Sequence, residues 1–367
     1  MERALRLAER GLYDTAPNPT VGCVLVNGDD VVGEGWTAPA GGPHAERVAL
    51  AKAGARARGA TAYVTLEPCC HFGRTGPCVD ALIEAGIARV VCSHVDPNPL
   101  VAGSGIGRLE RAGIDVTVGV LRGPAEALNR GHISRMSRNR PWVRVKVAAS
   151  LDGRTALASG ASRWITGDAA RADVHRWRAR SSAVLTGIGT VLADDPALTA
   201  RLDDPDAHVL QPARVIVDSR FRTPLTAQAL KSPASILIFG TDTRGERASR
   251  LAEAGAQIER VRGEPRCDLH AVLARLAALE HNDVLVEAGP TLSGAFLEAG
   301  LIDELIIYMA PHVLGDRARG MFSIDELTDL GDRYSLEIDD VRTLGSDLRI
   351  IARPSTVAGQ SRRPLET

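Results

Sequence analysis

Apolar and polar positions along the chain follow two alternating rhythms, one repeating every second residue and the other every three to four. The opening stretch MERALRLAERG sets Ala and Leu at helical spacing among charges and reads as a helix. TVGCVLV and VVGEGW, joined by NGDD, read as the two strands of a hairpin. HAERVALAKAG carries Val48, Ala49 and Ala53 on one face and stops at Gly54, a helix with its terminator. ATAYVTLE, ARVVCSHV and IDVTVGV are then strands, separated by the helices CVDALIEAG and IGRLERAG. The second half repeats the rhythm, with strands WVRVKVAAS, SAVLTG, ARVIVDS, SILIFG, DVLVEA and DELIIYMA. Its helices are AARADVHRWRAR, GERASRLAEAG, CDLHAVLARLAALE and LSGAFLEAG. Alternation of this kind builds layered α/β domains.

A chain of 367 residues divides into two domains at the usual domain size. Composition turns basic and polar around ALNRGHISRMSRNRPW, and Pro141 precedes a fresh strand, so the boundary is expected between Arg130 and Arg140. This gives domains over 1–140 and 141–355, with 356–367 as a flexible tail poor in apolar anchors. No repeat with a period of 20 to 50 residues is present.

Charge narrows the partners. Lys plus Arg total 44 and Asp plus Glu 45, a net of −1, which offers no broad field for nucleic acid or anionic membrane. No charged leader precedes an apolar run, and no stretch of 18 unbroken apolar residues occurs, so a cytoplasmic protein acting on small polar ligands is expected. Six cysteines are too sparse for a disulfide scaffold, yet Cys69, Cys70 and Cys78 crowd into ten positions, a grouping that suggests metal.

His44, Cys69 and Cys78 supply one nitrogen and two thiolates, the three-ligand set of a catalytic zinc site whose fourth position stays open for water. Glu46, two residues after the histidine, would not ligate; it would carry protons between that water, a ring nitrogen and a leaving amine, as in the H-x-E…P-C-x-x-C signature of zinc deaminases. The order of residues fits that signature, whereas the spacing does not, because eight residues separate Cys69 from Cys78 instead of two. Positions i and i+2 also point apart on a regular helix, which places His44 at a helix start where it can turn inward. A strand ending in LEPC and a helix beginning at PC would set both thiolates at helix starts, where the dipole favours the anion. Cys70 reads as a spectator, and Cys23, Cys92 and Cys267 as small core residues.

APNPTVGCVLV, PHAERVAL, LEPCCHFGRTGPC, DPNPLVAGSGI, RVKVAASLDGRTAL, SRWITG, TGIGTVLADDPALTAR and VLVEAGPTLSGAFLEAGLIDEL together resemble the bifunctional riboflavin biosynthesis deaminase/reductase family, from about residue 1 to about residue 353. The resemblance implies a cytidine-deaminase-like three-layer domain followed by a dihydrofolate-reductase-like domain, acting on consecutive intermediates. It implies zinc-dependent hydrolytic deamination of diaminohydroxyphosphoribosylaminopyrimidine, then NADPH-dependent reduction of the ribosyl side chain to ribityl. The long interval between Cys69 and Cys78 is then an inserted segment of the zinc loop. By the same resemblance Asn18 contacts the pyrimidine ring, while His71 and Arg74 in the insert serve as polar and phosphate contacts. A homo-oligomer is implied in the same way.

In the second half no G-x-G-x-x-G follows a strand, so a Rossmann dinucleotide fold is not expected. DVLVEAGPTLSGAFLEAG instead runs strand, Gly-Pro turn and helix, whose first N–H groups can hold a phosphate. The family resemblance assigns cofactor-side positions to Ala148, Trp164, Thr190, Asp194, Ser219 and the run Gly289, Pro290, Thr291, Leu292, Ser293, Gly294, Ala295. It assigns substrate-side positions to Ser162, Arg178, Leu198, Arg201 and Glu287. Forked donors on Arg178 and Arg201 suit a phosphate clamp, Glu287 can accept from ribose hydroxyls, and Lys146 is a second cation. Asp194 or Lys146 would move the proton that accompanies the hydride. Departures from the family pattern are Cys70 and Gly76, where Ser and Pro are more usual, and Ser104, where a basic residue is common.

Two other readings stay open on the residues alone. One is a nucleobase or nucleoside deaminase fused to an unrelated reductase. The other is a zinc-stabilised nucleic-acid binder, which would need a fourth protein ligand such as Cys70 or His71 and a basic stripe.

Overall fold

The computed structural model describes residues 1–72, 76–204, 208–232 and 234–355. Arg74 and the 356–367 tail lie outside the described residues. The first unit comprises α1 (Glu2–Ala8), β1 (Gly22–Asn27), β2 (Asp30–Trp36), α2 (Ala45–Ala53), β3 (Thr61–Val64), α3 (Cys78–Glu84), β4 (Arg89–Cys92), α4 (Ser104–Arg111) and β5 (Asp115–Val118). Its sheet has the order β2-β1-β3-β4-β5, with β1 antiparallel to both neighbours and β3, β4 and β5 parallel. Helices cover the sheet over a core that includes Leu25, Val64, Leu82, Val90 and Leu109. The helices approach closely where glycine removes a side chain: a Cβ on Gly22 would fall 1.9 Å from Ala4 O, and one on Gly33 2.2 Å from Ala49 O.

Two helices, α5 (Arg122–Leu128) and α6 (Arg130–Arg138), lead out of the first sheet. The second unit follows as β6 (Trp142–Ser150), β7 (Arg154–Ala156), α7 (Asp168–Arg180), β8 (Ala183–Gly187), α8 (Ile188–Asp194), β9 (Ala213–Val217), β10 (Ile236–Gly240), α9 (Glu246–Glu253) and β11 (Gln257–Arg260). It closes with α10 (Leu269–Ala278), β12 (Asp283–Val286), α11 (Pro290–Glu298), β13 (Glu304–Ala310), β14 (Arg319–Gly320), β15 (Leu336–Leu344) and β16 (Asp347–Pro354). The main sheet runs β11-β10-β9-β8-β12-β6-β13-β16-β15, parallel from β11 to β13 and antiparallel through the last two strands. Its central strands are buried on both faces, as parallel strands must be, around Val145, Leu185, Val215, Phe239 and Phe296.

The elements named from periodicity are present, and the differences have identifiable causes. The basic stretch read as a connector holds α6, whose arginines face acids at the start of the second unit's strands. Arg130 reaches Glu304 at 2.6 Å, Arg138 and Arg140 reach Asp303 at 2.8 and 2.7 Å, and Arg135 bonds Asn282 at 2.6 Å. A charged helix against a charged rim leaves no apolar stripe to read. The β15–β16 hairpin escapes for a related reason: β15 is an edge strand, exposed along most of its length and bulged near Asp340.

Arg144, 1 % exposed on β6, lies between Glu304 on β13 and Asp283 on β12, 2.6 Å from each. Removing one partner from a buried ion pair leaves an uncompensated charge, so Glu304→Ala is expected to destabilise the second unit by about 3–5 kcal/mol, read as a lowered urea midpoint.

Candidate active sites

His44 immediately precedes α2 in extended backbone (φ −73°, ψ 162°), so its side chain leaves the helix axis while Glu46 sits inside the first turn, 4 % exposed. That geometry removes the conflict of an i, i+2 pair on a regular helix. Cys78 opens α3, but Cys69 is not at the start of a helix of its own. It follows β3 in a loop, and its sulfur accepts the Cys78 N–H at 3.4 Å while its carbonyl accepts Val79 N–H at 3.2 Å. Cys69 thus accepts from the first turn of α3, and the two sulfurs stay together across the eight intervening residues.

His44 Nδ1 lies 3.5 Å from Cys69 Sγ and 3.4 Å from Cys78 Sγ, and the three donor atoms all fall within 4.8 Å of one another. Tetrahedral zinc with ordinary bond lengths would set nitrogen and sulfur about 3.6 Å apart, so this donor set fits zinc. The Cys70 sulfur instead lies 3.8 Å from Leu100 O, outside the group. Three ligands and not four gather among the described residues, the pattern of a catalytic rather than a structural site. A hydrogen bond from Cys78 lowers the Cys69 thiol, with His44 adding to it, while the Cys78 thiol is raised in turn. Burial, followed by the Cys69 charge, raises the Glu46 carboxyl to about 7.

His71 is partly buried, and its Nδ1 has no hydrogen-bond partner among the described residues. Asn18 lines a small cavity shared with Thr15, Asn129, His132, Arg180 and Asp283, where the first unit meets the second.

The second cluster forms along the carboxyl edge of the parallel strands, where open α/β sheets bind ligands. Ala148 lies near the end of β6, Gly187 ends β8, Ser219 follows β9, and Glu287 to Gly289 follow β12. Gly289 is the N-cap of α11 and brings no capping side chain, while Pro290 occupies the first turn. A Cβ on Gly289 would meet nothing nearer than Thr190 Oγ1 at 4.0 Å, so the helix's first N–H groups face room for an anion. These residues fit a nucleotide cofactor. Gly294 has a different task, since its missing Cβ makes way for Ser323 O, 2.0 Å from where that atom would be. Ser293 is buried and bonds Ala288 O.

Arg178 is paired with Glu287 on the adjoining strand end. Its Nε and Nη2 bind both Glu287 oxygens at 2.5 and 2.9 Å, and Nη1 donates to Thr199 O at 3.1 Å. Burial alone would raise the Glu287 carboxyl, but Arg178 overrides it and holds the group at about 2. Lys146 contributes to that field, and burial lowers its own ammonium. Arg201 keeps an exposed side chain, its backbone N–H donated to His175 Nδ1 at 3.3 Å. Leu198 is buried with φ +55°. Asp194, which ends α8, accepts from Arg163 through its carbonyl, and its carboxylate lies 3.9 Å from Arg163 Nε. Trp164 is 70 % exposed beneath Arg171, with partly exposed Ser162 two residues before it.

Sequence reasoning missed His175, Gln211 and Arg163. His175 stands three residues before Arg178 on α7, a spacing that shares one helix face and could have signalled it. Gln211 and Arg163 act through loop contacts that leave no periodic trace.

The chain's matches to known proteins agree with this geometry. Residues 1–94 match the cytidine and deoxycytidylate deaminase zinc-binding region, and residues 141–350 match the RibD C-terminal domain. The riboflavin biosynthesis protein RibD of Escherichia coli (strain K12) is 47% identical over 357 residues, covering 95% of this chain and 96% of that protein. The chain belongs to the RibD family. Its fold follows the RibD of Acinetobacter baumannii, form 1, at TM-score 0.91 and 48% identity, over 96% of this chain and 97% of that one. A Thermotoga maritima structure described as a diaminohydroxyphosphoribosylaminopyrimidine deaminase/5-amino-6-(5-phosphoribosylamino)uracil reductase aligns at TM-score 0.86 and 34% identity, over 97% of each chain. The protein is therefore a bifunctional deaminase and reductase of riboflavin biosynthesis, with a zinc-dependent first activity and an NADPH-dependent second. No described helix is long and apolar enough to cross a membrane.

Zinc content gives a direct check on the ligand set. Cys78→Ser is expected to weaken zinc binding at least about 100-fold by metal analysis after dialysis against a graded chelator, whereas Cys70→Ser leaves it unchanged. Acid titration checks the second site. The Glu287 carboxyl is depressed from its ordinary 4.5 to about 2, so its stabilisation is whole above about pH 4.5 and is lost as pH falls toward 2. The unfolding free energy from urea titration should fall further across that window for the wild type than for Glu287→Gln, by about 3 kcal/mol in all.

Proposed function

We propose that His44, Cys69 and Cys78 hold the zinc of the deaminase and that Glu46 is its proton carrier. Zinc bound there supplies the Lewis acidity that makes water nucleophilic at neutral pH. Glu46 takes one proton from the attacking water and gives it to the ring nitrogen, then takes the second from the hydroxyl added to the ring carbon and gives it to the amine, which leaves as ammonia. A buried carboxyl raised to about 7 is matched to both halves of that task. Asn18 offers a donor and an acceptor to the pyrimidine edge, and the partly buried His71 imidazole offers a further polar contact. Arg74 stays a phosphate-contact candidate by its sequence position.

In the second unit, NADPH bound along Ala148, Trp164, Thr190, Ser219 and the 289–295 segment supplies the hydride. Arg178 orients Glu287 toward the ribose hydroxyls, and Arg201, with its guanidinium exposed, takes the substrate phosphate. Lys146, an ammonium that burial lowers and that lies in the field of Glu287, is the proton donor of this site, while the Asp194 carboxylate faces Arg163. The substrate is a small phosphoribosylated pyrimidine. All six cysteines are free, which suits a reducing cytoplasm. The exposed Ile338 and Val341 on the edge strand β15 suit a homo-oligomer.

The observation that carries this reading is the three-donor cluster with buried Glu46 beside it. The test is NADPH absorbance after adding the diaminopyrimidine ribotide to zinc-loaded protein. The wild type should oxidise NADPH, and Glu46→Ala should do so about 10²–10⁴-fold more slowly, recovering when the deaminated compound is supplied directly. Ammonia release without NADPH oxidation in the wild type would remove the reductase assignment.

A further inference from the structure

We infer that Gln211 is a positioning residue of the reductase, fixing the segment that presents Arg201 to the substrate. The inference rests on the reading of Arg201 as the phosphate contact. Residues 198–201 leave α8 as irregular chain, and their polar backbone groups are held from several directions. Arg178 Nη1 donates to Thr199 O at 3.1 Å, and His175 Nδ1 accepts Arg201 N–H at 3.3 Å. Ala200, between them, gives both of its backbone groups to one side chain. Its N–H donates to Gln211 Oε1 at 3.0 Å, and its carbonyl accepts from Gln211 Nε2 at 2.9 Å. A primary amide is the side chain that can serve a donor and an acceptor of one residue at once, as a neighbouring strand would.

Gln211 is itself fixed on both sides. Two residues later the chain enters β9, and the preceding Leu210 donates its N–H to Tyr13 O of the first unit at 2.9 Å. The same reach brings His208 within 3.5 Å of Asp14. Arg201 is thus carried on a segment anchored to the reductase sheet, to the Arg178–Glu287 pair and to the deaminase unit. The side chain of Arg201 is exposed and long, touching His175 Nε2 at 3.4 Å through Nη2, and without a fixed backbone its ordering on meeting a phosphate would cost more entropy.

The experiment measures reductase kinetics with the deaminated phosphoribosylaminouracil supplied directly, in the full-length protein. Gln211→Met keeps the volume and removes both hydrogen bonds. It should raise KM for that substrate about tenfold, with kcat and the NADPH KM within about twofold. Arg201→Ala should raise the same KM, and adding Gln211→Met to it should change KM by less than about twofold, because the amide acts through the arginine. An unchanged KM in Gln211→Met, or full additivity in the double variant, overturns the positioning role while leaving Arg201 in place. An unchanged KM in Arg201→Ala overturns the reading of Arg201 itself. If thermal melting shows Gln211→Met to be unfolded, Gln211→Glu keeps the acceptor for Ala200 N–H and is judged by the same cycle.

Discussion

A guanidinium buried in the second unit organises the way the two halves meet. Arg144 can remain charged at 1 % exposure only because Glu304 and Asp283 both reach it, and those carboxylates come from the strands on either side of β6. Burial of the cation thereby ties the β12–β6–β13 alignment to the presence of all three side chains. Glu304 also receives Arg130 from α6, and Trp142 at the start of β6 lies beneath Arg130 and Arg138. The connector from the deaminase unit is consequently seated on the amino edge of the parallel strands. The carboxyl edge is left open, and there Glu287, Gly289 and Ser219 gather.

The two sites use opposite electrostatic designs. In the first, a histidine nitrogen and two sulfurs converge with a buried carboxyl nearby, an arrangement short of a cation. In the second, Arg178, Lys146 and His175 surround the Glu287 carboxylate, an arrangement short of an anion. Each deficit matches what the site takes, a metal ion in one case and phosphorylated compounds in the other. Buried charge also makes the sites specific, since a ligand of the wrong sign would leave these groups uncompensated.

Much of this is legible in the order of residues. Those that must serve as ligands or helix caps leave their chemistry in the sequence, so His44, Cys69, Cys78, Glu46 and the Gly-Pro turn at 289–290 stand out individually. α6 and β15 are illegible because one packs by charge and the other lies at the sheet edge, exposed along most of its length. Arg178 illustrates a subtler limit. Its type suggests a cation for phosphate, and nothing local signals that it also binds the Glu287 carboxylate and Thr199 O.

The alternation of strands and helices and the three candidate metal donors can be read from residue type and near neighbours alone. The packing of whole elements is what returns Cys78 to Cys69 across eight intervening residues and brings Gln211 to Ala200. It also decided that a basic connector is a docking helix. These outcomes depend on which distant backbone groups and charges come within hydrogen-bond reach. That distance is set by the packing of whole elements and has no local signature.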